Sequence, residues 1–232
     1  MERPRVTPSR RASARCIQSC TAAVLVLGAL GCAEPGARPK DDLLLEGSLY
    51  LDPETLEPYS GPVFTTLPGS SSEIEQRASL RDGHYDGAFE WYFGEGRLAL
   101  RELYRDGKKD GPYEWYFESG RLYERGTYVN GVLEGPYEAY YESGNLYERG
   151  TYRSGAFHGP RAWYLGGQLI ELATYVEGRL EGPYERYKET GEVELKGMLH
   201  DGQPCGAWLE QSGAIRQHPP CEQLAGRLHL RG

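Results

Sequence analysis

The sequence predicts an all-β fold, an elongated single-layer twisted antiparallel sheet built from stacked 24-residue β-hairpin repeats. Three observations carry this. A glycine-opened unit recurs at Gly87, Gly111, Gly135, Gly159, Gly182 and Gly206, with spacings of 24, 24, 24, 23 and 24. Turn signals such as E-S-G and V-N-G punctuate each unit, and Gly and Asn reach positive φ at little cost. The segments between them are rich in Tyr, Trp, Phe, Val and Thr, which favour strands. A repeat stack also suits a chain of 232 residues with a mean hydropathy of −0.63 and an apolar share of 39%. Each unit then buries surface only against its neighbours.

Before the repeats comes an export signal. Residues 1–31 hold five arginines and a single acid, Glu2. Within them Thr21 to Gly31 form an apolar run that ends in small residues before Cys32. A bilayer span needs about 20 apolar residues, so this run is too short to cross and suits a secretory signal peptide. The alternatives are an ordinary signal peptide that leaves Cys32 an unpaired thiol, a mitochondrial transit segment, and twin-arginine export through Arg10-Arg11. Residues 32–45, with A-E-P-G-A-R-P-K-D-D, read as a flexible tether.

Residues 46–86 read as a degenerate first repeat and N-terminal cap, in which Gly61-Pro62-Val63-Phe64 stands for the opening and L-P-G-S-S-S-E for an enlarged turn. Five full repeats occupy 87–205. Residues 206–221 form a C-terminal cap that begins Gly206-Ala-Trp208, and 222–232 a tail. Cys205 and Cys221 are the two cysteines of the body, and in an exported chain such a pair is most simply a disulfide. Closing a loop of about 15 residues contributes about 3 kcal/mol in the chain-entropy model.

Within a unit, strict alternation places Tyr116, Leu122, Gly126 and Tyr128 on one sheet face. There the absent side chain of Gly126 leaves room for a neighbouring tyrosine. Tyr116 recurs as Tyr92, Tyr140, Tyr164 and Tyr187, and the turn glycine as Gly96, Gly120, Gly144, Gly167 and Gly191; these are structural repeat positions. The one 23-residue unit loses its residue in the turn around Gly166-Gly167. The opposite face carries the aromatics that vary between units: Phe89, Trp91, Phe93, Tyr113, Trp115, Phe117, Tyr137, Tyr141 and Trp163. This second set is the candidate binding face.

Chemistry is sparse. Residues 32–232 hold 21 basic and 33 acidic residues, a balance of −12 that repels phosphate backbones, so no nucleic-acid partner is expected. The five histidines show no metal-ligand spacing. Neither G-x-S-x-G nor a P-loop is present, and no cofactor or catalytic residue is assigned. The pairs Glu114/Glu118 and Glu138/Glu142 repeat with the unit and read as solubilising charges, with calcium at the turns and acid–base work as lesser alternatives.

The run G-A-L-G-C resembles the lipobox of bacterial lipoproteins, which implies cleavage before Cys32 and lipidation of its thiol. Ala33 in place of Asp after that cysteine implies outer-membrane sorting. The unit G-P-Y-E-W-Y-F-E-S-G-R-L with its following Y-x-N-G-x-x-x-G resembles the MORN-type repeat, in the bacterial variant of YwqK-family antitoxins. Together these imply a non-enzymatic envelope lipoprotein, anchored to the membrane by lipid, that binds another protein or serves as a scaffold. The alternatives are a carbohydrate or peptidoglycan binder using the tryptophan row, and an antitoxin-like neutraliser of a toxin partner.

Overall fold

A computed structural model describes residues 36–228. The export run and Cys32 lie outside the described residues. The body is a long, open, mostly antiparallel sheet whose strands pair in chain order from Gly61–Thr66 to Ile215–Gln217. An α-helix, Cys221–Leu228, closes the C-terminal end, where the sequence predicts only a tail.

Every two-residue hairpin in the array has the same cause. Asn130 and Gly131 have φ of 51° and 85°, and Asp106-Gly107, Ser154-Gly155, Glu177-Gly178 and Asp201-Gly202 repeat that pair of positive angles. This is the type I′ geometry, whose twist matches that of the flanking strands. The other hairpin of each unit uses a three-residue loop. In Glu118-Ser119-Gly120 the amide of Gly120 donates to the Phe117 carbonyl at 2.8 Å, and Phe117 N–H donates to Arg121 O at 2.8 Å. In the 23-residue unit this loop shrinks to Gly166-Gly167, with Leu165 facing Gln168, and the strands on both sides keep their register.

Acids next to the opening glycines close the turns from the side. Carboxylates of Asp86, Glu134 and Glu181 accept the backbone N–H groups of Asp106, Ser154 and Asp201 at 3.3, 2.7 and 3.0 Å. Their position at every other hairpin therefore has a structural reason.

The N-terminal cap starts earlier than the tether boundary at residue 45 suggests. Arg38–Pro39 pairs in parallel with Val63 and Phe64, the one parallel pairing among the described residues, and Arg38 bonds Asp52 at 2.6 Å. Leu43 joins Val63, Ala78 and Leu80 in a buried cluster roofed by Tyr50, Tyr59, Tyr85 and Phe89. This covers an edge that otherwise invites pairing with another chain. At the far end Cys205 and Cys221 are bonded, with Cα atoms 4.9 Å apart, and hold the helix to the last strands. Trp208 is buried there, its Nε1 donating to the carbonyls of Met198 and Cys205, both at 3.1 Å.

Candidate functional site

Strict alternation fails once in each unit, in the hairpin opposite the two-residue turn, and that failure decides which residues share a face. Tyr116 faces Leu122, but Trp115 faces Glu124, so Tyr123 is an extra residue in its strand. Ala99, Tyr147, Ile170 and Glu194 are the extra residues of the other units. A β-bulge of this kind reverses the side-chain alternation beyond it. The expected stripe of Tyr116, Leu122, Gly126 and Tyr128 is therefore split. Tyr116 and Leu122 lie on one face, while Gly126 and Tyr128 lie on the other with Tyr113 and Trp115.

The first face is a charge ladder. Directly opposed residues on successive strands run Arg77, Glu90, Arg101, Glu114, Arg125, Glu138, Arg149, so each cation meets an acid on the next strand. Ala162 and Leu172 interrupt the row before Glu185 and Lys196 resume it. Hydroxyls of the recurring tyrosines tie in alongside: Tyr116 donates to Glu114 at 2.6 Å and Tyr140 to Glu138 at 2.7 Å, with the same bonds at Tyr92–Glu90 and Tyr187–Glu185. Tyr164 has Ala162 two residues before it instead, and the Arg149 guanidinium lies over its ring. The repeated carboxylates Glu114 and Glu138 are thus partners in a ladder. The hydroxyl of Tyr140, with Arg125, holds the Glu138 carboxyl below its ordinary range.

The second face is aromatic and carries most of the candidate residues. Its central row reads Trp91, Leu100, Trp115, Glu124, Ala139, Glu148, Trp163, Glu171, Arg186, each opposed in register to the next. Phe89, Tyr113 and Tyr137 flank that row. Trp91 and Trp115 meet edge to face at 6.0 Å. Phe93, Phe117 and Tyr141 stand at the strand ends, where Phe117 and Tyr141 pack on the bulge residues Tyr123 and Tyr147, each at 5.1 Å. Tyr113 differs from the others in being 3% exposed, because it packs against Gly126 and Tyr128. It is a core residue of the sheet and offers no free contact surface.

Sequence reasoning missed the polar members of this face. Glu102 and Glu148 are buried carboxylates, each with its own cation: Lys109 at 2.7 Å from Glu102, and Arg161 on Glu148. Glu124, half-buried, is bonded instead by the phenols of Tyr137, at 3.2 Å, and Tyr113. Burial raises its pKa, and the Glu148 carboxylate adds to that. The phenols of Tyr113 and Tyr137 are driven up in turn, first by burial and then by Glu124. The signal lay in the repeat itself, since Arg161 stands where Tyr113, Tyr137 and Tyr184 stand in neighbouring units.

This geometry bears on the relatives of the chain. Residues 109–130 and 133–154 match the model of a family described as a MORN repeat variant. Those stretches include Glu114, Arg125, Glu138 and Arg149 of the ladder. MORN repeats are non-enzymatic modules that bind proteins or membranes. No curated protein matches the chain. Among solved structures, the crystal structure of the GtfA/B complex bound to UDP and GlcNAc matches at 12% identity, covering 68% of this chain with a TM-score of 0.21. The aligned part is 25% of that longer chain, and a likeness of this degree settles neither fold nor function.

Proposed function

We propose that this chain is a non-catalytic protein-binding or scaffolding module of the bacterial cell envelope, exported and anchored to the outer membrane by a lipid on Cys32. The observation that carries the binding reading is the aromatic face. It presents half-buried Trp91, Trp115 and Trp163 and a half-buried carboxylate on a sheet with no second layer packed against it among the described residues. On the opposite face the acids are tied up with arginines, lysine and tyrosine hydroxyls. Export is supported by the apolar run before Cys32 and by the Cys205–Cys221 disulfide, a bond of oxidising compartments.

Two measurements test this. Fractionation with labelled palmitate, comparing the native chain with Cys32→Ala, is expected to show label and membrane retention for the first alone. Capture of an envelope protein by the immobilised body is expected to be lost when Trp91, Trp115 and Trp163 are all changed to Ala. Unchanged capture by that variant contradicts the assignment of the face. A carbohydrate-binding role is favoured instead if isolated cell wall is retained and the same variant loses it.

A further inference from the structure

The N-terminal cap is tied to the sheet sooner than a flexible tether requires. Arg38 is fixed by its pairing with Val63 and by its bond to Asp52, so only residues 33–37 separate the fixed body from Cys32. At full extension the chain from Cys32 to Arg38 reaches no more than about 22 Å. A lipid on Cys32 therefore keeps this cap close to the bilayer surface.

The same cap carries exposed leucines. Leu45 and Leu56 are 62% and 64% exposed, and Leu44 is 47% exposed. Leu44 and Leu45 belong to the outer strand of a two-stranded ribbon, Leu44–Glu46 with Leu49–Leu51, and as neighbours on a strand they leave it on opposite sides. Among the described residues no further strand pairs with that outer strand. Leu56 sits in the turn that follows the ribbon. Asp52 builds this turn: its carboxylate accepts the amides of Glu54 and Thr55 at 2.8 and 3.3 Å, and its carbonyl accepts that of Leu56 at 2.8 Å. The carboxylate also holds Arg38, so the leucine turn is fixed to the start of the body. Leu56 has a φ of 60°, in the left-handed region where leucine is strained and glycine is free. An exposed side chain held in that conformation contributes little packing, and strain of this kind points to a use.

We propose that Leu44, Leu45 and Leu56 enter the surface of a zwitterionic bilayer beside the lipid on Cys32. The inference rests on the lipid-anchor reading above and names a second contact between this chain and the membrane. Residues 36–60 hold six acids and two bases, a balance that opposes a surface of anionic lipids.

The test uses the mature chain from Cys32 onward, with a single myristoyl-length chain attached to the Cys32 thiol. One such chain binds a membrane marginally and reversibly, so a second contact shows directly in the partition coefficient. Partition onto phosphatidylcholine vesicles is expected to fall at least about tenfold when Leu44→Ser, Leu45→Ser and Leu56→Gly are combined. Ile215→Ser removes a side chain just as exposed, at 65%, from the far end of the sheet. That strand lies roughly 60 Å away along the sheet, and its change is expected to alter partition by less than about twofold. Leu56→Gly alone is expected to weaken partition without lowering the melting temperature, because glycine takes the positive φ freely. Replacing half of the lipid by phosphatidylglycerol is expected to weaken partition of the native chain. Equal partition of the native chain and the triple variant overturns the inference, as does tighter binding to the phosphatidylglycerol vesicles or an equal loss in Ile215→Ser. If the triple variant partitions like the native chain but loses a dimer seen in sedimentation, the leucines meet a second copy and the membrane contact is wrong. Absence of labelled palmitate on the native chain in cells overturns the anchor reading itself, whereas label with equal partition overturns the leucine contact alone.

Discussion

The ring of Tyr113 lies against the bare backbone of Gly126 on the next strand, so close that a methyl group there would come within 2.8 Å of its Cε1. Gly126 has an ordinary extended backbone, so its need for glycine is steric and not conformational. Gly126→Ala should destabilise the body by about 1–3 kcal/mol, the usual cost of overpacking. Urea unfolding measures it. Gly197→Ala should cost more, because the indole of buried Trp208 sits closer still and is held by two hydrogen bonds.

Arg161 and Glu148 give a second prediction. Glu148 is 5% exposed, so Arg161→Met leaves an uncompensated charge in a buried place. The expected loss is about 3 kcal/mol. Adding Glu148→Gln should restore a large part of it, and a double-mutant cycle reads the coupling. The ladder on the other face behaves differently. Arg125 and Glu138 are largely solvated, with side chains 53% and 32% exposed, so Arg125→Met should cost no more than about 1 kcal/mol.

The tyrosines make stability sensitive to alkali. The phenols of Tyr92, Tyr116 and Tyr184 are pushed up to about 12, first by burial and then by bonds to Glu90, Glu114 and Glu171. A pKa raised in the folded state means that the contribution is complete below the unfolded value near 10 and is lost as pH rises towards 12. Phenolate absorbance should therefore lag behind that of free tyrosine and rise together with alkaline unfolding. In acid the sign is opposite for Glu138, Glu181 and Glu185, whose pKa values are lowered. Their contribution is present above the unfolded carboxyl value and is lost as pH falls through the folded one. Glu124 runs against them: its raised pKa makes its ionisation unfavourable to folding, so Glu124→Gln should leave stability at neutral pH equal or slightly higher.

The disulfide acts on one end only. Cys205 and Cys221 are separated by 16 residues, and opening that loop should cost about 3 kcal/mol in the C-terminal cap. Hydrogen exchange of Cys205→Ala should rise around Gln203–Glu210 and Ile215–Gln217, while the Gly111–Tyr116 strand stays protected.

The repeat period, the hairpins and both kinds of turn are legible in the sequence, because a glycine stands at a positive-φ position in every turn of the array, while the residue before it in the two-residue turns varies among Asp, Asn, Ser and Glu. Six of the nine candidate aromatics also share a face, as alternation predicts: Phe89, Trp91, Tyr113, Trp115, Tyr137 and Trp163. The residues that line that face with them are not legible in the same way. One bulge residue per unit, such as Tyr123, looks like any other strand residue and silently reverses the alternation. Tyr113 accordingly reads as free in the sequence, and Glu124, Glu148 and Arg161 do not stand out. The matched acids and arginines of the ladder carry a clue, since only the bulged register sets Glu114 opposite Arg125 and Glu138 opposite Arg149.

The central claim is that the aromatic face, and not the charge ladder, meets the partner. Hydroxyl-radical footprinting of the body, free and in complex with its captured envelope protein, tests it most directly. Strong protection of Trp115 and Trp163 is predicted, with unchanged labelling of Tyr116 and Tyr140 on the opposite face. Protection of Tyr116 and Tyr140 with Trp115 and Trp163 still reactive would contradict it.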